Sequence, residues 1–207
     1  MRSIRFSFVF FFFGIFFHLS ILAQRFNSEI LEISNQFNEG GYKLNGTGMP
    51  RDVLYGDEIF LEKCEQGTFC SSFTFFVAYE LIRNYKLIEF SNKDSLHMFQ
   101  MEWYGSTPKS RETQCLYAMT NKGICKKISR TQALPGDFVQ FWRNNRTGHS
   151  VIFLAWVRDN KGEIIGINYR SSQKVTNGIG DRTEYFGKEK KEINKKRIYI
   201  ARLCNGL

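Results

Sequence analysis

The hydrophobic periodicity of the chain changes once, and this change limits the folds that it can adopt. In the first half, apolar residues recur at helical spacing, as Phe73, Phe76 and Val77 do. In the second half they form short runs and alternations that are typical of strands, as in residues 197–203. Helices followed by consecutive strands predict an α+β fold, in which N-terminal helices pack on an antiparallel β-meander.

The same patterns predict where the elements lie. Residues 40–58 are rich in glycine and are expected to form a loop. No repeat or linker interrupts residues 24–207, so they are predicted to form a single domain. Helices are expected at residues 28–38, from 70 to about 82, 93–103 and 113–120, and strands at 138–142, 149–157, 164–172 and 197–203.

Residues 1–23 have the pattern of an export signal. Arg2 and Arg5 precede an apolar run that reaches Leu22, and the small residue Ala23 stands before the polar Gln24. This order is typical of a secretory signal peptide that is cleaved after the small residue. An uncut membrane anchor is the alternative, but the run is at the short end for a spanning helix. We therefore expect an exported protein, periplasmic or extracellular, without membrane insertion after cleavage.

The chain is basic, with 29 lysines and arginines against 20 acidic residues and a net charge of +9. Cleavage would lower this charge to +7, because it removes Arg2 and Arg5 and no acid. A basic exported protein suits anionic partners such as cell-wall polymers or membrane surfaces. No motif that reads nucleic acid is present, so nucleic acid is not an expected partner. Few histidines, widely spaced cysteines and no phosphate-binding loop predict no metal and no cofactor, and we expect a monomer.

Five cysteines follow the predicted signal, which is an odd number. Cysteines tend to pair in an oxidising compartment, so one thiol is expected to stay free. Proximity in the sequence suggests the pairs Cys115–Cys125 and Cys64–Cys204, which would leave Cys70 free. The sequence alone does not determine the connectivity.

Cys70 is the candidate nucleophile. It stands at the start of a predicted helix, shortly after Gly67. A helix N-terminus and a nearby imidazole both lower the pKa of a thiol, and the thiolate attacks carbonyl carbon. Backbone N–H groups of the first helical turn can also stabilise the oxyanion that the attack creates. The alternative is a buried cysteine that serves as a small apolar residue.

His149 is the candidate base. It follows Gly148 and begins an apolar strand, where its ring can project from a rim into a cleft. His18 lies in the predicted signal, and His97 lies within a short helix without an obvious partner. A structural role is the alternative for His149.

A third polar residue should orient the imidazole. If the turn at residues 159–162 closes a regular hairpin, residues near 170–172 lie opposite His149. Asn168 lies on the same face of the strand as Ser172. It is the first choice, because an amide can accept a hydrogen bond from the imidazole N–H without changing the net charge. The register is uncertain by one residue, so the alternatives Ser171, Ser172 and Gln173 remain open.

Three sequence blocks occur in an order that resembles a known superfamily. They are Gly-Thr-Phe-Cys-Ser-Ser-Phe-Thr-Phe at residues 67–75, Leu-Pro-Gly-Asp-Phe-Val-Gln-Phe-Trp at residues 134–142, and Gly-His-Ser-Val-Ile-Phe-Leu at residues 148–154. They resemble the cysteine-containing, PGD and GH segments of the NlpC-type and CHAP-type cysteine amidohydrolases, and the resemblance covers residues 64 to about 172. It implies a minimal papain-like fold with Cys70 as nucleophile, His149 as base and Asn168 at the position of the acidic or amide residue.

The chain also departs from that superfamily. Phe69 precedes the cysteine where NlpC-type members usually have an aspartate, and no wall-binding repeat accompanies the domain. The resemblance therefore implies a divergent member.

The expected function is that of an exported cysteine amidase or endopeptidase that hydrolyses an amide bond in cell-wall peptide (peptidoglycan) without a cofactor. One alternative is a secreted module on the same fold that binds carbohydrate or cell wall without turnover, with Trp103, Tyr104 and Trp142 stacking on sugars. Another is a secreted effector that acts against competing cells.

Overall fold

The computed structural model describes residues 25–204, and these residues form the predicted α+β fold. The predicted signal peptide lies outside the described residues. Between residues 25 and 204, no helix has both the length and the apolar character needed to cross a membrane.

The first half of the described chain supplies the helices. The longest, α2, begins at Cys70 as expected and ends where Lys86 adopts a left-handed conformation with φ 49°. The next, α3, has the predicted bounds, because Asn92 and Ser95 cap its N-terminus reciprocally. The four α-helices found between residues 25 and 204 are α1 (25–35), α2 (Cys70–Tyr85), α3 (Lys93–Trp103) and α4 (Cys115–Asn121).

The second half of the chain forms most of an antiparallel sheet. Its strands are β1 (Glu39–Gly40), β4 (Cys125–Ile128), β5 (Phe138–Arg143), β6 (Gly148–Arg158), β7 (Ile164–Gln173), β8 (Gly178–Tyr185) and β9 (Ile193–Leu203), while β2 (Val53–Tyr55) and β3 (Glu58–Leu61) form a separate hairpin. The order in the large sheet is β1-β8-β7-β6-β5-β9-β4. Strands β5 to β8 are therefore consecutive neighbours, as a meander requires.

Two predictions about these elements are wrong. The segment at residues 40–58 is not all loop, because β2 and the start of the hairpin lie within it. Strands β4 and β8 were not predicted at all. Every residue of β8 pairs with β7, but the strand consists mostly of glycine and polar residues, so it lacks the apolar pattern that would reveal it.

Both faces of the large sheet are covered by apolar side chains. Phe138 and Ile152 belong to the core that the helices share, whereas Val139 and Val151 belong to a second cluster on the other face. Burial on both faces explains why β5 and β6 read as nearly continuous apolar runs.

The chain that leads into α2 is fixed by backbone pairing. Residues 41–43 run beside residues 66–68, where Thr68 donates from its N–H to Gly41 O (3.0 Å) and accepts from Lys43 N–H (3.1 Å). Gly67 adopts φ +129°, and a Cβ at this position would lie 2.6 Å from the carbonyl carbon of Gly41. Glycine at residue 67 is therefore required for two backbone segments to meet just before Cys70.

We predict that Gly67→Ala lowers the free energy of unfolding by about 2–4 kcal/mol, because it combines positive-φ strain with a backbone clash. Urea denaturation measures the loss. Gly162→Ala is the matched control, since Gly162 also has positive φ (+81°) but nothing lies within 4 Å of the added Cβ. Equal losses in the two variants would contradict the importance of the close approach.

Candidate active site

Cys70 is the first residue of α2 and is partly buried. The preceding residue, Phe69, is extended (φ −140°), and no side chain caps the helix. The first backbone bond of α2 runs from Phe73 N–H to Phe69 O. The earlier N–H groups of this turn are consequently available to a negatively charged group beside the sulfur.

His149 is the second residue of β6, and its ring is held on three sides. Phe141 and Tyr169 contact it edge-on, with ring centroids 5.7 and 5.4 Å from that of the imidazole. The ring atom Nε2 lies 3.0 Å from Oε1 of Gln173. Since Nε2 is engaged in this way, Nδ1 is the ring nitrogen that remains for an interaction with Cys70, whose pKa the ring lowers.

The environment lowers the pKa of Cys70. Burial of the sulfur raises it, but the charge of His149 and a hydrogen bond from its ring lower it, as do the backbone amide of Ser150 and the hydroxyl of Ser71. The net result is a pKa of about 7. A thiol with this pKa is substantially ionised at neutral pH, which is the state that a nucleophile requires.

Two other cysteines show what burial does without an imidazole. Burial raises the pKa of Cys115 to about 12 and that of Cys125 to about 11. These thiols are protonated at neutral pH and are not nucleophilic.

The structure corrects the choice of Asn168 as the third residue that orients His149. The pairing Ile152↔Arg170 becomes Ala155↔Asn168 after an irregularity in β6. Asn168 therefore lies beside Ala155, further along the sheet. It is Gln173, one of the open alternatives, that contacts the imidazole.

The remaining alternatives for the third residue serve the backbone instead. Ser171 donates from its hydroxyl to Ser150 O (2.7 Å), which fixes the strand segment that follows His149. Ser172 accepts from the hydroxyl of Thr68 (2.7 Å), which ties the approach to α2 onto β7. Both are fully buried.

Sequence reasoning missed a buried ionic group behind the imidazole. Arg143 donates two hydrogen bonds to Glu184 (2.7 and 2.6 Å), and Tyr169 donates a third (2.5 Å). Burial alone would raise the pKa of Glu184, but these donors hold it below its usual value. Since the Tyr169 ring contacts His149, this group fixes one wall of the base. No sequence signal indicated it, because Glu184 lies in the strand that was not predicted.

Tyr42 is a second residue that sequence reasoning missed. Burial and the nearby Cys70 thiolate raise the pKa of its phenol, while the charge of Arg143 lowers it. Between residues 25 and 204, its hydroxyl has no hydrogen-bond partner. A free phenolic donor thus lies in the surroundings of the sulfur.

The predicted disulfides are absent from the structure. All five cysteines lie within the described residues, and all are free. Cys64 lies next to Gly46, whereas Cys204 follows β9 and bonds the backbone of Ile124, so these two cannot pair. Cys115 and Cys125 are close enough to influence each other but remain thiols.

The three aromatic residues proposed to stack on sugars do not form one common surface. Trp103 is fully buried and donates from its indole to Thr74 (3.1 Å). The hydroxyl of Tyr104 lies 2.8 Å from that of Ser72, and the indole of Trp142 donates to Glu112 O (2.8 Å). Because Trp103 is fully buried it cannot stack on a sugar, so the three residues do not form the expected binding surface.

Neither the best-formed cavity nor a metal-ligand cluster among residues 25–204 coincides with Cys70. A cavity of about 620 Å³ lies at the C-terminal end of α2, around Tyr55, Tyr79 and Phe90, and does not include Cys70 or His149. In the described part of the chain, no three histidine, cysteine or acidic side chains converge as metal ligands would. Cys70 and His149 therefore remain the candidate reactive residues.

Comparison with known proteins gives no assignment. No protein-family model matches the chain, no curated protein matches it significantly, and no solved structure does so. What the protein does must therefore be inferred from the chemistry of its own residues.

We predict that alkylation of Cys70 by iodoacetamide accelerates as pH rises through about 7 and then levels off. The lowered pKa means that the thiolate is present above this value and lost below it. In His149→Ala, only Ser150 and Ser71 still oppose burial, so the midpoint moves well above 7 and the rate at pH 7 falls at least about 10-fold. Mass spectrometry of the Cys70 peptide measures the rate. His97→Ala is the control, and a midpoint that stays near 7 in His149→Ala would refute the pairing.

We predict that Gln173→Ala slows alkylation or turnover at pH 7 by about 10-fold or more, because the imidazole loses the partner that orients it. Asn168→Ala should leave the rate within about twofold, since Asn168 lies away from the ring. The reverse ranking would restore Asn168 as the third residue.

Proposed function

We propose that this protein is an exported cysteine hydrolase, an amidase or endopeptidase, and a divergent relative of the NlpC-type and CHAP-type cysteine amidohydrolases. The observation that carries the proposal is a thiol at a helix N-terminus whose pKa falls to about 7 because of His149. The amide of Gln173 behind the imidazole completes a Cys-His-polar arrangement.

The geometry supports an acyl-transfer mechanism in two halves. The Cys70 thiolate attacks the carbonyl carbon of the substrate amide, and the carbonyl electrons move onto oxygen. N–H groups of the first turn of α2 stabilise this oxyanion. The protonated His149 then donates its proton to the leaving nitrogen, the C–N bond breaks, and a thioester with Cys70 remains.

Hydrolysis of the thioester restores the enzyme. His149, now neutral, takes a proton from water, and the resulting hydroxide adds to the thioester carbonyl. The C–S bond breaks, the acid leaves, and the sulfur is again a thiolate beside a protonated imidazole. No cofactor enters either half. In this scheme Tyr42 supplies a further hydrogen-bond donor near the reacting atoms.

Cell-wall peptide is the substrate class that we favour. The export signal expected at residues 1–23 would bring the protein to such a substrate, and the net charge of +7 after cleavage suits an anionic polymer. The rival proposal is a binding module without turnover, and such a module would not need a thiol that is ionised at neutral pH. An antibacterial effector would use the same chemistry and differ only in its target.

We predict that Cys70→Ala and Cys70→Ser each reduce amide hydrolysis at least about 1000-fold, because no other group supplies the nucleophile. The assay incubates the protein with purified peptidoglycan and measures newly released amino groups. Both variants should melt within a few degrees of the wild type, because the side chain packs only at the helix start.

Cys64→Ala is the matched control, because Cys64 is also a partly exposed free thiol but lies outside the Cys70–His149 pair. It should retain full activity. Undiminished hydrolysis by Cys70→Ala would end the proposal, and loss of activity in both variants would point to a general requirement for thiols.

A further inference from the structure

The loop between α3 and α4 is fastened to the sheet at Glu112. Arg197 donates to both carboxylate oxygens of Glu112 (2.8 and 2.5 Å), and the hydroxyl of Tyr199 donates to the same group (2.7 Å). The indole of Trp142 donates to the backbone carbonyl of Glu112 (2.8 Å). The guanidinium of Arg197 also lies 4.8 Å from the centre of the Trp142 ring. This loop is therefore a rigid wall beside the start of β6.

Gln114 lies two residues further on, in an unfavourable backbone conformation. Its φ is 45° and its ψ is −111°, values that an L-residue rarely adopts. Its N–H donates to Ser110 O (2.7 Å), and α4 begins immediately after it. The fastened loop on one side and the helix on the other maintain a conformation that glycine would adopt more easily. Strain of this kind persists where a side chain must be presented in one place.

The side chain of Gln114 is held next to the residue that contacts the nucleophile. Its Oε1 accepts from the hydroxyl of Ser150 (3.1 Å), and the backbone amide of Ser150 faces the sulfur of Cys70. Gly105 leaves the space that this amide occupies, since a Cβ there would lie 2.9 Å from Gln114 Nε2.

The amide of Gln114 has hydrogen-bonding capacity to spare. The Ser150 hydroxyl carries one proton and lies closer to Gln140 Oε1 (2.7 Å) than to Gln114 Oε1 (3.1 Å). The contact to Gln114 is thus the weaker of the two. Among residues 25–204, Gln114 Nε2 has no hydrogen-bond partner, and the residue is partly exposed. The Nε2 of this partly exposed side chain is therefore free to donate to a ligand.

The placement of this donor determines what it can contact. Ser150 stands between it and the sulfur, whereas the attacked carbon must come within about 3–3.5 Å of the sulfur. With Ser150 in between, the donor is placed for a group other than that carbon's own oxygen. Successive peptide groups of an extended substrate are offset by about 3.3–3.8 Å per residue, so a neighbouring group comes within reach.

We propose that Gln114 is a specificity-determining residue, whose Nε2 donates a hydrogen bond to the carbonyl oxygen of the peptide group next to the amide that Cys70 attacks. The proposal rests on the proposed function and narrows it. The enzyme would select substrates with at least two successive carbonyl groups, that is peptides, over simple amides that have one.

Two alkylating probes with the same reactive group test this inference. N-acetyl-alanine chloromethyl ketone carries a peptide carbonyl next to its reactive ketone, and chloroacetone has the ketone alone. Gln114→Ala should slow modification of Cys70 by the peptidyl probe about 5- to 10-fold, the worth of one hydrogen bond. The rate with chloroacetone should not change. Gln132→Ala, at an exposed glutamine away from the site, is the matched control and should alter neither rate.

A second variant separates binding from folding. Gln114→Gly should show the same selective loss while its melting temperature rises by roughly 2–4 °C, because glycine relieves the backbone strain. Equal slowing of both probes, or no slowing of either, would overturn the role assigned to Gln114. Failure of wild-type Cys70 to react with chloroacetone near pH 7 would instead refute the proposed function itself.

Discussion

The structure depends on the packing of the first turn of α2 against the adjoining ends of β6 and β7. A buried thiol is normally protonated, as Cys115 is, because burial disfavours the charged form. At Cys70 the imidazole of His149 and the amide of Ser150 outweigh this penalty. Electrostatic effects of this size require contact distances, so they vanish if the helix moves by a few ångströms.

Several uncharged contacts keep the helix in that position. Thr68, just before α2, bonds the backbone of Gly41 and Lys43 and the side chain of Ser172. Ser72, in the first turn, donates to Thr47 O (2.8 Å). Each is a small polar group paired within the protein, so burial costs little and the geometry is well defined. Hydrogen bonds between uncharged groups thus hold in place the helix that carries the ionised Cys70.

The sequence predicted the parts of the site that depend on local pattern. The start of α2 at Cys70 and the start of β6 near His149 follow from short-range periodicity and are found where expected. Asn168 was chosen for its chemistry, but it lies several residues before the strand position that faces His149. The irregularities in β6 shift the pairing slightly, so that Gln173, just beyond the expected 170–172, reaches the ring. Gln114, Tyr42 and Glu184 come from distant segments that no local pattern connects. The Cys64–Cys204 disulfide failed for the same reason, since pairing depends on where the fold brings each sulfur.

An amide behind the imidazole has consequences for the chemistry. Gln173 is neutral, so it orients the ring without adding a negative charge that would stabilise a protonated imidazole. The one carboxylate in this wall, Glu184, is neutralised by Arg143 and reaches His149 only through the ring of Tyr169. The thiolate is therefore the main counterion of the ring. Once the sulfur bonds to the carbonyl carbon, its negative charge passes to the oxyanion, and the imidazolium loses its counterion before it donates its proton to the leaving nitrogen. In this arrangement a neutral third residue favours the step that an acidic one would oppose.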